Sequence, residues 1–180
     1  MKTSHSFMPE AFGTLHELQA DAQRPGEKIL LVACCDHGTA PCHLSIADPR
    51  RLNVVQNMAA TVPAAGAAVG WTTLASIEYA VAFRNVRHIV VCGHRQCRFI
   101  AHWRAARQSG ESPAGLGEEL QSIWSALDEI AGGLPDGGQQ AVVREHTLRQ
   151  IDNLLSHEFI RQRVENARVR LHAWVVDEES

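Results

Sequence analysis

Lysine is almost missing from this 180-residue chain: Lys2 and Lys28 are the only two, and arginine supplies the rest of the 17 basic residues. Against 20 acidic residues this leaves a net charge of -3, so the chain as a whole carries no nucleic-acid footprint. The bias toward arginine points to no activity by itself. Long apolar runs are also missing. The longest, Ile29 to Cys35, falls far short of the roughly 20 residues that a membrane-spanning helix needs. The opening Met1–Glu10 has no apolar stretch behind Lys2, so no secretory signal is expected and the expected location is the cytoplasm. No Cys-x-x-Cys pair occurs among the five cysteines, which counts against a redox switch built from Cys34, Cys35 and Cys97. No repeat or low-complexity tract divides the chain, and residues 1–180 read as a single domain.

What remains is an ordinary globular composition, 45% hydrophobic and 21% charged, in a chain long enough to bury a sizeable core. Met8 to Gln23 carries Phe12, Leu15 and Leu18 at helical spacing and predicts an outer helix. Lys28 to Ala33 is nearly all apolar, as a strand covered on both faces would be. Further strands are expected at Leu52–Gln56, Val86–Cys92 and Val169–Val176. Helices are expected at Trp71–Phe83, Phe99–Arg107, Leu116–Ile130, Gln140–Leu155 and Glu158–Asn166. Strands alternating with helices of this length argue for βαβ units and an α/β domain, whose chemistry gathers beyond the carboxyl ends of the strands.

Two segments fall at such ends. The first strand closes on Ala33-Cys34-Cys35-Asp36-His37-Gly38, and the third on Cys92-Gly93-His94-Arg95-Gln96-Cys97. His94 and Cys97 can share one ion, and Cys34 at the matching strand end supplies a third ligand. Two thiolates and an imidazole suit Zn²⁺. A His-x-x-Cys pair on its own is as readily a surface histidine beside a half-buried thiol, and Cys34-x-Asp36 is what tips the balance. Gly93 reads as a tight turn where a side chain would crowd the site.

On these motifs the chain resembles the β-class carbonic anhydrases, whose markers are Cys-x-Asp-x-Arg and a later His-x-x-Cys. Leu74 to Val81, Ile89 to His94 and Leu171 to Trp174 are similar to the family's helix, metal strand and closing strand, so the resemblance spans nearly the whole chain. It implies a mainly parallel sheet flanked by helices and assembly as a homodimer or multiple of dimers. It also implies zinc held by Cys34, His94 and Cys97, with Asp36 as the family's aspartate. The implied activity is reversible hydration of CO₂ to bicarbonate by zinc-bound hydroxide, or attack on a related heterocumulene such as COS or CS₂. Asp36 would accept a hydrogen bond from that nucleophile.

Three positions depart from the family. Gly38 stands where the motif has arginine, Gln56 where the family commonly has arginine before Asn57, and Arg98 where glycine often follows the second cysteine. In the family the first arginine holds the aspartate off the metal. Without it, Asp36 is free to become the fourth ligand, and the alternative is a catalytically silent zinc protein serving as a binding or assembly partner. An open fourth position lowers the pKa of a zinc-bound water to about 7, whereas a carboxylate there blocks it. His37 as a donor or Arg98 as a clamp would restrain Asp36 instead.

The other candidates read more simply. Cys35 and Cys92 are expected to pack as small hydrophobes. Cys42 and His43 are a loop pair that could join His37. His88, His102, His146, His157 and His172 are expected on wet or half-wet faces, with a proton-shuttle role open for His102. Arg95, Arg98, Arg104 and Arg107 read as a solvated face. The four tryptophans are spaced as core or interface residues.

Overall fold

The computed structural model describes residues 15–24, 26–36, 49–111, 115–134 and 138–177. Four strands make one sheet: β1 (Ile29–Cys34), β2 (Leu52–Asn57), β3 (His88–His94) and β4 (Arg170–Val176). Their order across the sheet is β2-β1-β3-β4 and every pair is parallel. The central strands β1 and β3 are buried at every position. This is why Leu30, Leu31 and Val32 follow one another without a polar alternate. The outer strands β2 and β4 are only partly buried and carry the mixed character seen in the sequence.

Six helices complete the described fold: α1 (Leu15–Gln23), α2 (Trp71–Ala82), α3 (Arg98–Ser109), α4 (Glu118–Gly133), α5 (Gln139–Ser156) and α6 (Glu158–Glu165). On one face of the sheet, Leu30, Val32, Ile89, Val91 and Leu171 pack with Ile77 and Val81 of α2, Ile151 and Leu154 of α5 and Ile160 of α6. On the other, Ile29, Leu31, Val90 and Cys92 meet Leu18 of α1. A third cluster joins Ile100 and Trp103 of α3 to Trp124 and Leu127 of α4 and Val143 of α5, and it reaches Cys34 and Cys97. The metal candidates therefore sit at the rim of a packed core.

The expected elements are all found, with shifted ends. The strand placed at Val86–Cys92 begins at His88 and runs through Gly93 to His94, because both pair with β4, Gly93 opposite Val175 and His94 opposite Val176. Gly93 is thus a strand residue, and its role differs from the predicted turn. A Cβ built on it would lie 2.4 Å from the Thr147 hydroxyl of α5, so glycine is required for α5 to approach the sheet. Of the predicted outer helix, Met8–Thr14 lies outside the described residues. No described helix is long and apolar enough to cross a membrane.

Candidate metal centre

From β1 the chain passes to β2 on one side and then crosses over to β3 on the other, so the carboxyl ends of β1 and β3 flank the point where the topology reverses. In open parallel sheets that point opens a crevice for ligands. Cys34 ends β1, His94 ends β3, and Cys97 is the N-cap residue of α3. One donor atom from each of these three buried residues lies within 4.8 Å of the other two. The two sulfurs are 4.0 Å apart, and neither is in a disulfide.

This donor set fits zinc on its own chemistry. Cys97 and Cys34 share a hydrogen bond that holds Cys34 well below the usual thiol range, with His94 contributing in the same direction. The same contact, joined by burial, pushes Cys97 upward. Two thiols in contact beside an imidazole present soft donors, and a divalent cation bound there would convert both to thiolates with release of their protons. Cys92 lacks such partners, and burial alone raises it to about 11, in keeping with a packed, unreactive thiol.

Asp36 stands just outside the set. Its Oδ2 is 4.0 Å from His94 Nε2 and accepts a hydrogen bond of 2.6 Å from the backbone N–H of Arg98, the first residue of α3. The Arg98 Nε lies 3.6 Å from Oδ1, on a side chain that is 75% exposed. Of the two restraints expected for Asp36, the Arg98 contact is therefore present. His37 and Gly38, like Cys42 and His43, lie outside the described residues.

Several supporting residues could not be read from spacing. Gln139, the first residue of α5, donates from Nε2 to the carbonyls of Arg95 and Cys97 and so steadies the loop between the two ligands. Beneath Cys34 the turn Met58–Ala60 places Ala59 and Ala60 at φ +56. It is tied by the Asn57 side chain, which accepts from the Thr61 N–H and donates to the Thr61 carbonyl. His146 Nε2 lies 3.1 Å from the Ala59 carbonyl and acts as donor there, while Gln150 donates to His146 Nδ1. Burial lowers His146 to about 4, so it is neutral and has no charge to offer the site.

Other expectations are corrected. Cys35 is exposed, its thiol 3.7 Å from the Met58 sulfur, because the strand ends one residue earlier and the chain bends away from the core. His88, His146, His157 and His172 are buried, and only His102 of that group is exposed. Burial is possible because each finds partners: His88 lies 3.0 Å from His172 and 2.9 Å from Asp21, and His157 lies 2.8 Å from the Pro63 carbonyl. Three of the four clustered arginines take separate acidic partners, Arg95 with Asp177, Arg98 with Asp36 and Arg107 with Asp128. Trp103 and Trp124 are core residues, whereas Trp71 is exposed.

Fold and site together define an α/β protein with a Cys–His–Cys group that could hold a metal ion at the carboxyl edge of a parallel sheet. Residues 29–180 match the family described as carbonic anhydrase. The carbonic anhydrase of Pseudomonas aeruginosa is 33% identical over 164 residues, covering 88% of this chain and 73% of that protein. Carbonic anhydrase 1 of Escherichia coli O157:H7 is 33% identical over 181 residues, covering 97% and 80%. Among solved structures, a tetrameric β-carbonic anhydrase of the ascomycete Sordaria macrospora aligns with a TM-score of 0.67 at 22% identity, covering 91% of this chain and 82% of that one. The chain belongs to the β-class carbonic anhydrase family, and the enzyme class this membership carries is carbonic anhydrase.

Proposed function

We propose that the protein is a zinc lyase that interconverts CO₂ and bicarbonate, with Cys34, His94 and Cys97 as the metal ligands and Asp36 as the catalytic carboxylate. The observation that carries this reading is the convergence of three buried soft donors at the topological switch point, with a carboxylate beside them. When bound, the ion would supply Lewis acidity that lets a water molecule lose a proton near neutral pH and so become a nucleophile toward a small electrophilic carbon. The residues do the rest. Cys34 and Cys97, as thiolates, and His94, as neutral imidazole, would hold the ion. Asp36, positioned by its bond from the α3 amide, would accept a hydrogen bond from the attacking solvent molecule and so orient it toward the substrate. COS or CS₂ has the same electrophilic carbon and belongs to the same substrate class.

The position of Asp36 favours this over the silent alternative, in which the carboxylate itself fills the fourth position. The decisive experiment is stopped-flow CO₂ hydration by zinc-loaded protein between about pH 6.5 and 9. Turnover that disappears in Asp36→Asn supports the reading. A fully loaded protein with no turnover across that range removes it in favour of the silent protein.

The active assembly is a homodimer or multiple of dimers. Trp71, Tyr79 and Phe83, on α2 and at its C-cap, are 69%, 56% and 78% exposed, and Tyr79 and Phe83 stack at 5.7 Å. Exposed aromatics grouped this way mark a surface for association.

A further inference from the structure

We infer that Asp36 is held off the metal position by the first backbone N–H of α3, which in this chain does the work of the arginine absent at Gly38. The inference rests on the zinc reading above and concerns how the fourth position is kept open. Three observations converge on it. Cys97, the N-cap residue of α3, makes no side-chain capping bond, so the helix start is left to be capped from elsewhere. Asp36 Oδ2 takes that place from across the chain, 2.6 Å from the Arg98 nitrogen, where the helix dipole also favours a carboxylate. The same carboxylate lies 4.0 Å from His94 Nε2, so once released it stands beside the proposed metal ligands.

Magnitudes separate the two halves of Arg98. A charge-assisted bond to a buried or half-buried carboxylate is worth roughly 10- to 100-fold in an equilibrium. A guanidinium that is 75% exposed and 3.6 Å away contributes at most about fivefold. The amide therefore dominates and the side chain assists. Arg98 is a positioning residue in this scheme, acting through Asp36.

The geometry also offers a clean way to delete the amide. Arg98 is the first residue of its helix, a position where proline fits without breaking a helical bond. Cys97 has φ -54 and ψ 112, outside the α region that a following proline disfavours. Arg98→Pro thus removes the N–H together with the side chain, and Arg98→Ala removes the side chain alone.

The test uses the full chain loaded with cobalt(II), titrated with azide and followed in the visible d–d bands. An open position takes azide and shifts the bands, whereas one filled by a carboxylate resists. The wild-type protein is expected to respond, Arg98→Ala to need no more than about five times the azide, and Arg98→Pro to need roughly 10- to 100-fold more. Adding Asp36→Asn to Arg98→Pro should restore the response, which a merely damaged site cannot do. Azide binding in Arg98→Pro equal to wild type overturns the inference, as does a loss that Asp36→Asn fails to rescue. A wild-type protein lacking the near-ultraviolet thiolate-to-cobalt band would instead sink the metal reading, and this inference with it.

Discussion

At the scale of single residues, the centre combines what is needed for binding with what is needed for access. The sulfurs of Cys34 and Cys97 lie 4.0 Å apart, so removing either leaves a site with too few soft donors. Cys34→Ser is expected to lower zinc affinity by more than the 10- to 100-fold typical of lost supporting contacts, or at least about 100-fold. Competition with a chromogenic chelator measures this directly, and affinity unchanged in Cys34→Ser would remove Cys34 from the ligand set. Gly93 is a second residue whose value is geometric. Its missing side chain admits Thr147, and a methyl group there would have to displace that hydroxyl from 2.4 Å. Gly93→Ala should cost about 1–3 kcal/mol in urea unfolding, the usual range for overpacking. The paired variant Gly93→Ala with Thr147→Ala should recover most of the loss, and an unaltered midpoint in Gly93→Ala alone contradicts the packing account.

At the scale of elements, the turn between β2 and α2 is the least expected feature. Two alanines at φ +56 are strained, and they persist because the surroundings hold them. Asn57 ties one side of the turn. From α5, His146 binds the Ala59 carbonyl and Gln150 Oε1 accepts the Val62 N–H. His146 makes this bracket sensitive to acid. Its folded pKa is depressed from the ordinary 6.5 to about 4 by burial, so between those values the unfolded chain binds a proton that the folded chain refuses. Stability is therefore greatest above about pH 6.5 and falls as pH drops toward about 4, by up to about 3 kcal/mol. Urea unfolding at a series of pH values should show that slope, and His146→Gln should flatten it. A slope identical in the two proteins assigns acid sensitivity to other groups. Helices and strands themselves were legible in the sequence because burial on both faces leaves an uninterrupted apolar run and amphipathic helices leave a stripe. The bracket was not, because Asn57, His146 and Gln150 are scattered polar residues whose partners are backbone atoms far along the chain.

For the whole molecule, the sheet is covered by helices while the α2 side keeps a row of aromatics in solvent. Association through that side predicts a defined change of mass. Tyr79→Glu with Phe83→Glu should shift sedimentation to the monomer without altering the far-ultraviolet circular dichroism, since both side chains are more than half exposed. A double variant that keeps its native assembly locates the interface elsewhere. The same scale explains why His88 and His172 are buried where the sequence predicts wet or half-wet faces. His88 and His172 sit on adjacent strands in the interior, and only the parallel pairing of β3 and β4, with Asp21 arriving from α1, supplies the partners that make burial affordable.

Residue types and local spacing by themselves determined the α/β alternation, the central strands, and the choice of Cys34, His94 and Cys97 with Asp36 nearby, because periodicity and donor chemistry are written along the chain. Tertiary structure alone decided that Asp36 rests on the α3 amide, that Gly93 exists to admit α5, and that Cys35 faces solvent. Each depends on distances between segments brought together only when the strands align in register and the helices close over them, and no one-dimensional pattern encodes such distances.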